Sequence, residues 1–118
     1  MLVESLLNDG HEVTVLDNFM YRQTSLSHLV NKRNLEIVIG DIRDTDLMKR
    51  QLSKCEVIFP LAAIVGAPAC DRDPVTAKTV NNEAMRWLFK YASHNQMIVM
   101  PTTNSAYGQG QEGNFCDE

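Results

Sequence analysis

At 118 residues, 44% of them hydrophobic, the chain can bury one core and has no room for a second domain of ordinary size. Its formal charge of −4 comes from 15 acidic and 11 basic residues, spread without a block of either sign, which excludes the electrostatic footprint of a nucleic-acid or anionic-lipid binder. A small molecule or another protein is the expected partner.

The chain opens with Leu2, Val3, Leu6 and Leu7 at helical spacing, and this pattern stops at Asn8-Asp9-Gly10, where glycine can take the left-handed conformation that ends a helix. The segment is too short for a signal peptide and lacks its basic start, and no apolar run is long enough to span a bilayer, so a soluble protein is expected. Val13 to Leu16 is short, β-branched and apolar, and ends at Asp17-Asn18 as a buried strand would. Residues 18 to 34 are polar and weakly periodic, leaving room for at most a short helix.

Leu35 to Ile39 reads as a second strand, ending at Gly40-Asp41. Asp44 caps a predicted helix over Thr45 to Ser53, with Leu47, Met48 and Leu52 along one side. Val57 to Phe59 gives a third strand and Ile98 to Met100 a fourth. Asp73-Pro74 starts a helix, because Asp accepts from free backbone N–H groups and Pro at the first helical position loses no hydrogen bond. Ala77, Val80, Ala84, Trp87, Leu88 and Tyr91 then form its apolar stripe, running to about His94. Cys55, Cys70 and Cys116 are odd in number, far apart and in no C-x-x-C spacing. That pattern argues against a disulfide framework and against a metal site, and fits reduced thiols in a cytoplasmic protein.

Strands and helices alternate, and strands apolar on both sides predict a parallel sheet covered on both faces, a Rossmann-type doubly wound α/β fold. In that architecture the first strand is central and the glycine-rich turn after it carries a pyrophosphate. Leu2 to Leu7 read as the later part of the helix that follows such a turn, so the first strand and its glycine-rich turn are expected to be missing and the domain to be partial.

Candidate site residues fall at the ends of the four strands, where open α/β sheets bind ligands. Asp17 stands where this fold places an acid that hydrogen-bonds an adenosine ribose, although a strand-ending turn aspartate explains its position equally well. Gly40-Asp41-Ile42-Arg43-Asp44 could meet the edge of an adenine, or be a glycine turn leading into a helix cap. Leu61-Ala62-Ala63 would let a dinucleotide approach the backbone, or simply pack a tight loop. Pro101 to Gly108 gathers four hydroxyl side chains after the last strand, and reads either as a site or as an ordinary polar loop.

Taken together, these segments resemble the extended short-chain dehydrogenase/reductases. The resemblance rests on Gly10-His11-Glu12-Val13 through Val15-Leu16-Asp17-Asn18-Phe19, Gly40 to Asp44, Leu61 to Ala63, Val80-Asn81 and Thr102 to Gly108, in the family's order. It is nearest to the NAD-dependent epimerase/dehydratase branch, which acts on nucleotide-linked sugars. The resemblance implies NAD as cofactor, a nucleotide-sugar substrate and a homodimeric parent enzyme. It implies that Asp17 and Asn18 hold the adenosine ribose, that Asp41 and Ile42 contact the adenine, and that Leu61, Ala62 and Ala63 line the path toward the nicotinamide. Asn81 becomes a structural hydrogen-bonder near that loop. Thr103, four residues before Tyr107, matches the family's catalytic Ser/Thr.

Three departures qualify the match. Pro60 stands where His is frequent, the glycine-rich turn is missing, and the Tyr-x-x-x-Lys pair is expected beyond Glu118, together with a C-terminal substrate domain. NAD is expected over NADP because Asp17 would repel a 2′-phosphate, with Arg22 close enough to leave the alternative open. Two other readings stay open: a reductase of the same superfamily, and a non-catalytic NAD-binding or NAD-sensing protein.

Overall fold

A computed structural model describes residues 2–102. The chain opens on helix α1 (Leu2–Asn8), which ends as expected at Gly10 with φ of 87°. Strand β1 (Val13–Asp17) pairs in parallel with β2 (Leu35–Ile39), in a register running from Val13↔Leu35 to Asp17↔Ile39. The 17 residues between them hold one short 3-10 turn, Ser27–Leu29, whose Leu29 is buried. Asn34 fastens the start of β2 to α1, its side-chain amide donating to the carbonyls of Leu7 (3.2 Å) and His11 (2.9 Å).

Helix α2 (Thr45–Leu52) begins where the sequence predicts. The Asp44 carboxylate accepts from the backbone N–H groups of Asp46 and Leu47, two of the donors that a helix start leaves without partners. Gly40, ahead of it, is closely packed: a Cβ there would displace the end of the Leu47 side chain.

Strand β3 (Val57–Ile58) pairs in parallel with β4 (Met97–Ile98). The predicted third and fourth strands are therefore shorter than expected, and β4 begins one residue earlier. Gln96 sets this end of the pair, donating to the carbonyls of Leu52 (2.5 Å) and Cys55 (2.6 Å).

Between β3 and β4 lie α3 (Ala67–Arg72), α4 (Pro74–Lys78) and α5 (Met85–Tyr91). Asp73 caps α4, with Pro74 in its first turn. The predicted continuous helix from Asp73 is interrupted by a π-helical segment, Thr79–Ala84, joining α4 to α5. The stripe nevertheless does its job: Ala77, Val80, Ala84 and Leu88 are buried, and Tyr91, itself exposed, stacks on Trp87 at 4.5 Å.

The main core cluster, Met48, Leu52 and Leu88, lies between α2 and α5 and receives Leu16 from β1, Ile58 from β3 and Ile98 from β4. One cluster thus ties both strand pairs to the same helices. Alternating parallel strands and helices make this a Rossmann-type α/β fold. Among the described residues, its sheet consists of two separate two-stranded ladders, β1-β2 and β3-β4.

Candidate functional site

The parallel register of β1 and β2 brings Asp17-Asn18 and Asp41-Ile42 to the same carboxyl end of that pair. Asp17 pairs with Ile39, so Asp17-Asn18 and Gly40-Asp41 leave β1 and β2 side by side, and the Gly40 N–H donates to the Asp17 carbonyl at 3.0 Å. In the loop after β3, Leu61, Ala62 and Ala63 are all exposed. The Arg43 guanidinium donates to the Thr79 hydroxyl, and the Asn81 side chain clamps Ile64, so both loops are fastened within the π-helical segment.

Asp17 is half-buried. Its Oδ1 accepts from the Phe19 N–H at 2.7 Å and its Oδ2 from the Gln23 side-chain amide at 3.2 Å. An ionised carboxylate offers about four acceptor sites, so two remain for incoming hydroxyls. The loop around it is strained: Phe19 and Arg22, neither a glycine, have φ of 50° and 51°. The Gln23 Oε1 is buried with no hydrogen bond. Strained backbone and unpaired buried acceptors concentrate at functional sites, because a structure keeps them only where the surroundings compel it. Asn18 sits in the same turn, its Oδ1 accepting from the Met20 N–H.

Asp41 is in a different condition. Its Oδ1 accepts from both the backbone N–H and the Nε of Arg43, each at 2.9 Å, and its Oδ2 from Arg43 Nη2 at 2.6 Å. The Arg43 guanidinium holds the Asp41 carboxyl well below its ordinary value, at about 2. Ile42 turns its side chain into the core cluster, so any contact it makes with a ligand runs through its backbone.

The clamp on the third loop comes from Asn81. Its Oδ1 accepts from the Ile64 N–H and its Nδ2 donates to the Ile64 carbonyl, both at 2.8 Å, reproducing the two bonds a neighbouring strand would make. Asn81→Ala is expected to cost about 1 kcal/mol of stability, the net value of such bonds where water can partly replace them. Denaturant unfolding of the wild-type and Asn81→Ala proteins would measure it. An unchanged midpoint would mean that the loop holds its shape unaided.

The sequence reading missed Arg43, whose partners on the residue two before it and on a helix 36 positions away leave no periodic signal. It also missed α3, although Gly66 and Pro68 mark its start. Thr103, the expected catalytic hydroxyl, lies outside the described residues. Among the described residues no group of His, Cys, Asp and Glu could hold a metal ion, and no helix is long and apolar enough to cross a membrane. Cys55 and Cys70 are free thiols, and burial pushes the Cys55 thiol up. A cleft of about 390 Å³ lies at the opposite, amino end of β3 and β4, between Lys49, Cys55, Tyr91 and Gln96.

Comparison with known proteins places this geometry. The chain is 29% identical over 110 residues to a UDP-N-acetyl-alpha-D-glucosaminuronate decarboxylase of Bacillus cytotoxicus, covering 92% of this chain and 34% of that protein. Among solved structures it superposes with a TM-score of 0.80 on a UDP-N-acetylglucosamine 4-epimerase from Methanobrevibacter ruminantium, at 24% identity, covering 98% of this chain and 37% of that one. A UDP-glucose-4-epimerase from Stenotrophomonas maltophila, solved with bound NAD, gives a TM-score of 0.76 at 18% identity, covering 93% of this chain and 35% of that one. The chain thus spans about a third of the length of these relatives. The family model that matches it, described as the NAD dependent epimerase/dehydratase family, covers residues 1–118, and the chain belongs to that family.

Proposed function

We propose that this chain forms the adenosine-binding half of the cofactor site of an NAD-dependent enzyme that epimerises or dehydrates a nucleotide-linked sugar. The observation that carries the reading is the acceptor count at Asp17. A half-buried carboxylate at the end of β1, with two acceptor sites unspent, suits the two hydroxyls of a ribose. Asn18 supports the turn beside it, the Gly40–Arg43 segment meets the base, and the exposed Leu61, Ala62 and Ala63 offer small, apolar ground toward the nicotinamide. The family's description and the bound NAD of the Stenotrophomonas epimerase support NAD as the cofactor.

NAD, when bound, supplies the hydride chemistry at the sugar carbon. The chain's own residues bind and orient. Asp17 accepts from the ribose hydroxyls, the Asn81 clamp fixes the third loop, and the Thr103 hydroxyl hydrogen-bonds the sugar oxygen that gains or loses a proton. A nucleotide-sugar substrate, a homodimeric parent, a cytoplasmic setting and a substrate domain elsewhere in the protein complete the proposal. A reductase of the same superfamily would use this half-site identically. A non-catalytic NAD-binding protein would keep Asp17 and dispense with Thr103.

Asp17→Ala, in the protein that carries this chain, is expected to weaken NAD about 10- to 100-fold, since hydrogen bonds to a charged acceptor are lost. NADP should be affected far less, because its 2′-phosphate never benefited from that carboxylate. Equilibrium titration with both cofactors measures this, and equal affinities before and after substitution would remove Asp17 from the ribose site.

A further inference from the structure

The β3–β4 ladder stops after two residues, and the cause lies in the residues that follow. In its parallel register Val57 faces Met97 and Ile58 faces Ile98. The Met97 N–H donates to the Glu56 carbonyl and the Val99 N–H to the Ile58 carbonyl, both at 2.9 Å. A parallel ladder takes its donors evenly from alternate residues of each strand. The next two bonds would therefore run from the residue 60 N–H to the Val99 carbonyl, and from the residue 101 N–H to the residue 60 carbonyl. Residues 60 and 101 are both proline, which has no N–H. Two of the chain's four prolines thus occupy the two consecutive donor positions at which the ladder would continue.

The two prolines act differently. The Pro60 ring stands where an N–H would approach the Val99 carbonyl, so β3 and β4 have to part at this level. Pro101 withholds the following bond, so the strands cannot rejoin one step later. Val99 and Met100 are apolar enough to prolong a strand, yet past the last ladder bond they are 43% and 44% exposed. From there the chain leaving β3 enters Leu61-Ala62-Ala63 and the chain leaving β4 enters Thr102, at the carboxyl edge where open α/β sheets bind ligands.

We infer that Pro60 and Pro101 form a double stop, which ends the β3–β4 ladder at the bond from Val99 to Ile58 and holds apart the loop after β3 and the segment after β4. Both are positioning residues for the proposed reaction. That role rests on the proposed function, whereas the stop itself stands on the register alone. The stop also has an order. Pro60 blocks the nearer bond and Pro101 the farther, so removing Pro101 alone leaves the ladder where it is, and removing Pro60 lets it close by one bond.

The test is hydrogen exchange at residue 60 beside UDP-sugar turnover, both in the protein that carries this chain. In Pro60→Ala the new N–H is expected to donate to the Val99 carbonyl and to exchange about 100-fold or more slowly than an open amide. Turnover should fall about 10- to 100-fold as the two segments are drawn together, since a displacement of about 1 Å can cost that much. NAD affinity should stay within about threefold, because the proposed adenosine contacts lie on the loops after β1 and β2. Pro60→Val, which supplies the same N–H on a strand-forming residue, should behave alike. Pro101→Ala should exchange and turn over as wild type does. In Pro60→Ala/Pro101→Ala a second slow amide should appear at 101, with a further loss of turnover, the non-additivity expected of nested bonds. A fast-exchanging amide at 60 in both Pro60 variants would overturn the stop. A slow amide with unchanged turnover would overturn the positioning role, and so would a loss in Pro101→Ala equal to that of the double variant. Absence of UDP-sugar turnover by the wild-type protein would overturn the proposed function and the positioning role with it, while the amide at 60 would still decide the stop.

Discussion

Thr103→Ala, in the protein that carries this chain, is expected to lower turnover by about 10²- to 10⁴-fold, the usual contribution of a group positioned to manage a proton in the transition state. Cofactor affinity should move little, since the proposed NAD contacts lie on Asp17, the Gly40–Arg43 segment and the loop after β3. Thr103→Ser should retain much of the activity, because the role needs a hydroxyl and makes no use of the methyl group. The decisive measurement is kcat for both variants beside NAD binding by titration. Equal losses for Ala and Ser would point to packing around the threonine. A parallel collapse of NAD affinity would point to a role in assembling the site.

A polypeptide consisting of these 118 residues alone is expected to bind NAD with a dissociation constant no tighter than about 1 mM and to show no turnover of UDP-sugars. The reason lies in the sheet. Parallel strands normally have both faces covered, yet no residue of β1 to β4 is fully buried, and Ile39 and Met97 are 77% and 62% exposed. Among the described residues β1 is paired only with β2 and β3 only with β4, so each two-stranded ladder presents edges able to pair with another chain. Among the described residues, no glycine-rich turn opens onto a helix N-terminus to receive a pyrophosphate, which leaves ribose and base contacts to carry the affinity. Light scattering should report self-association, and calorimetric titration should report weak heats or none. Micromolar binding by a monodisperse sample would show that the two ladders form a complete site by themselves.

Much of this was legible in the sequence because the physics is local. β-branched runs ending in Asp or Gly located the first two strands to within a residue, and the capping aspartates at 44 and 73 located two helix starts, since a cap is a bond between neighbours. The two shorter strands were overextended because Phe59, Val99 and Met100 are apolar enough to continue a pattern whose ladder has already ended. The site was legible as positions and illegible as chemistry. That Asp17 is held by Gln23 while Asp41 is gripped by Arg43 depends on side chains meeting across a turn. Both aspartates look alike as letters at strand ends. The π-helical segment left no trace either, because the apolar stripe from Ala77 to Leu88 is compatible with an unbroken helix.

That segment gives the helical stretch from Pro74 to Tyr91 two independent alignments. A π-helical turn takes up one more residue than an α-helical one, and one residue is worth about 100° of rotation. The portion around Thr79 and Asn81 can therefore be aimed at the loops, while Met85 and Leu88 are aimed at the core, without either compromising the other. Removing a single residue between 79 and 84 would leave a more regular helix with one phase for both tasks. The surplus residue works as a phase shifter, converting a rod that can serve one neighbour into a joint that serves two.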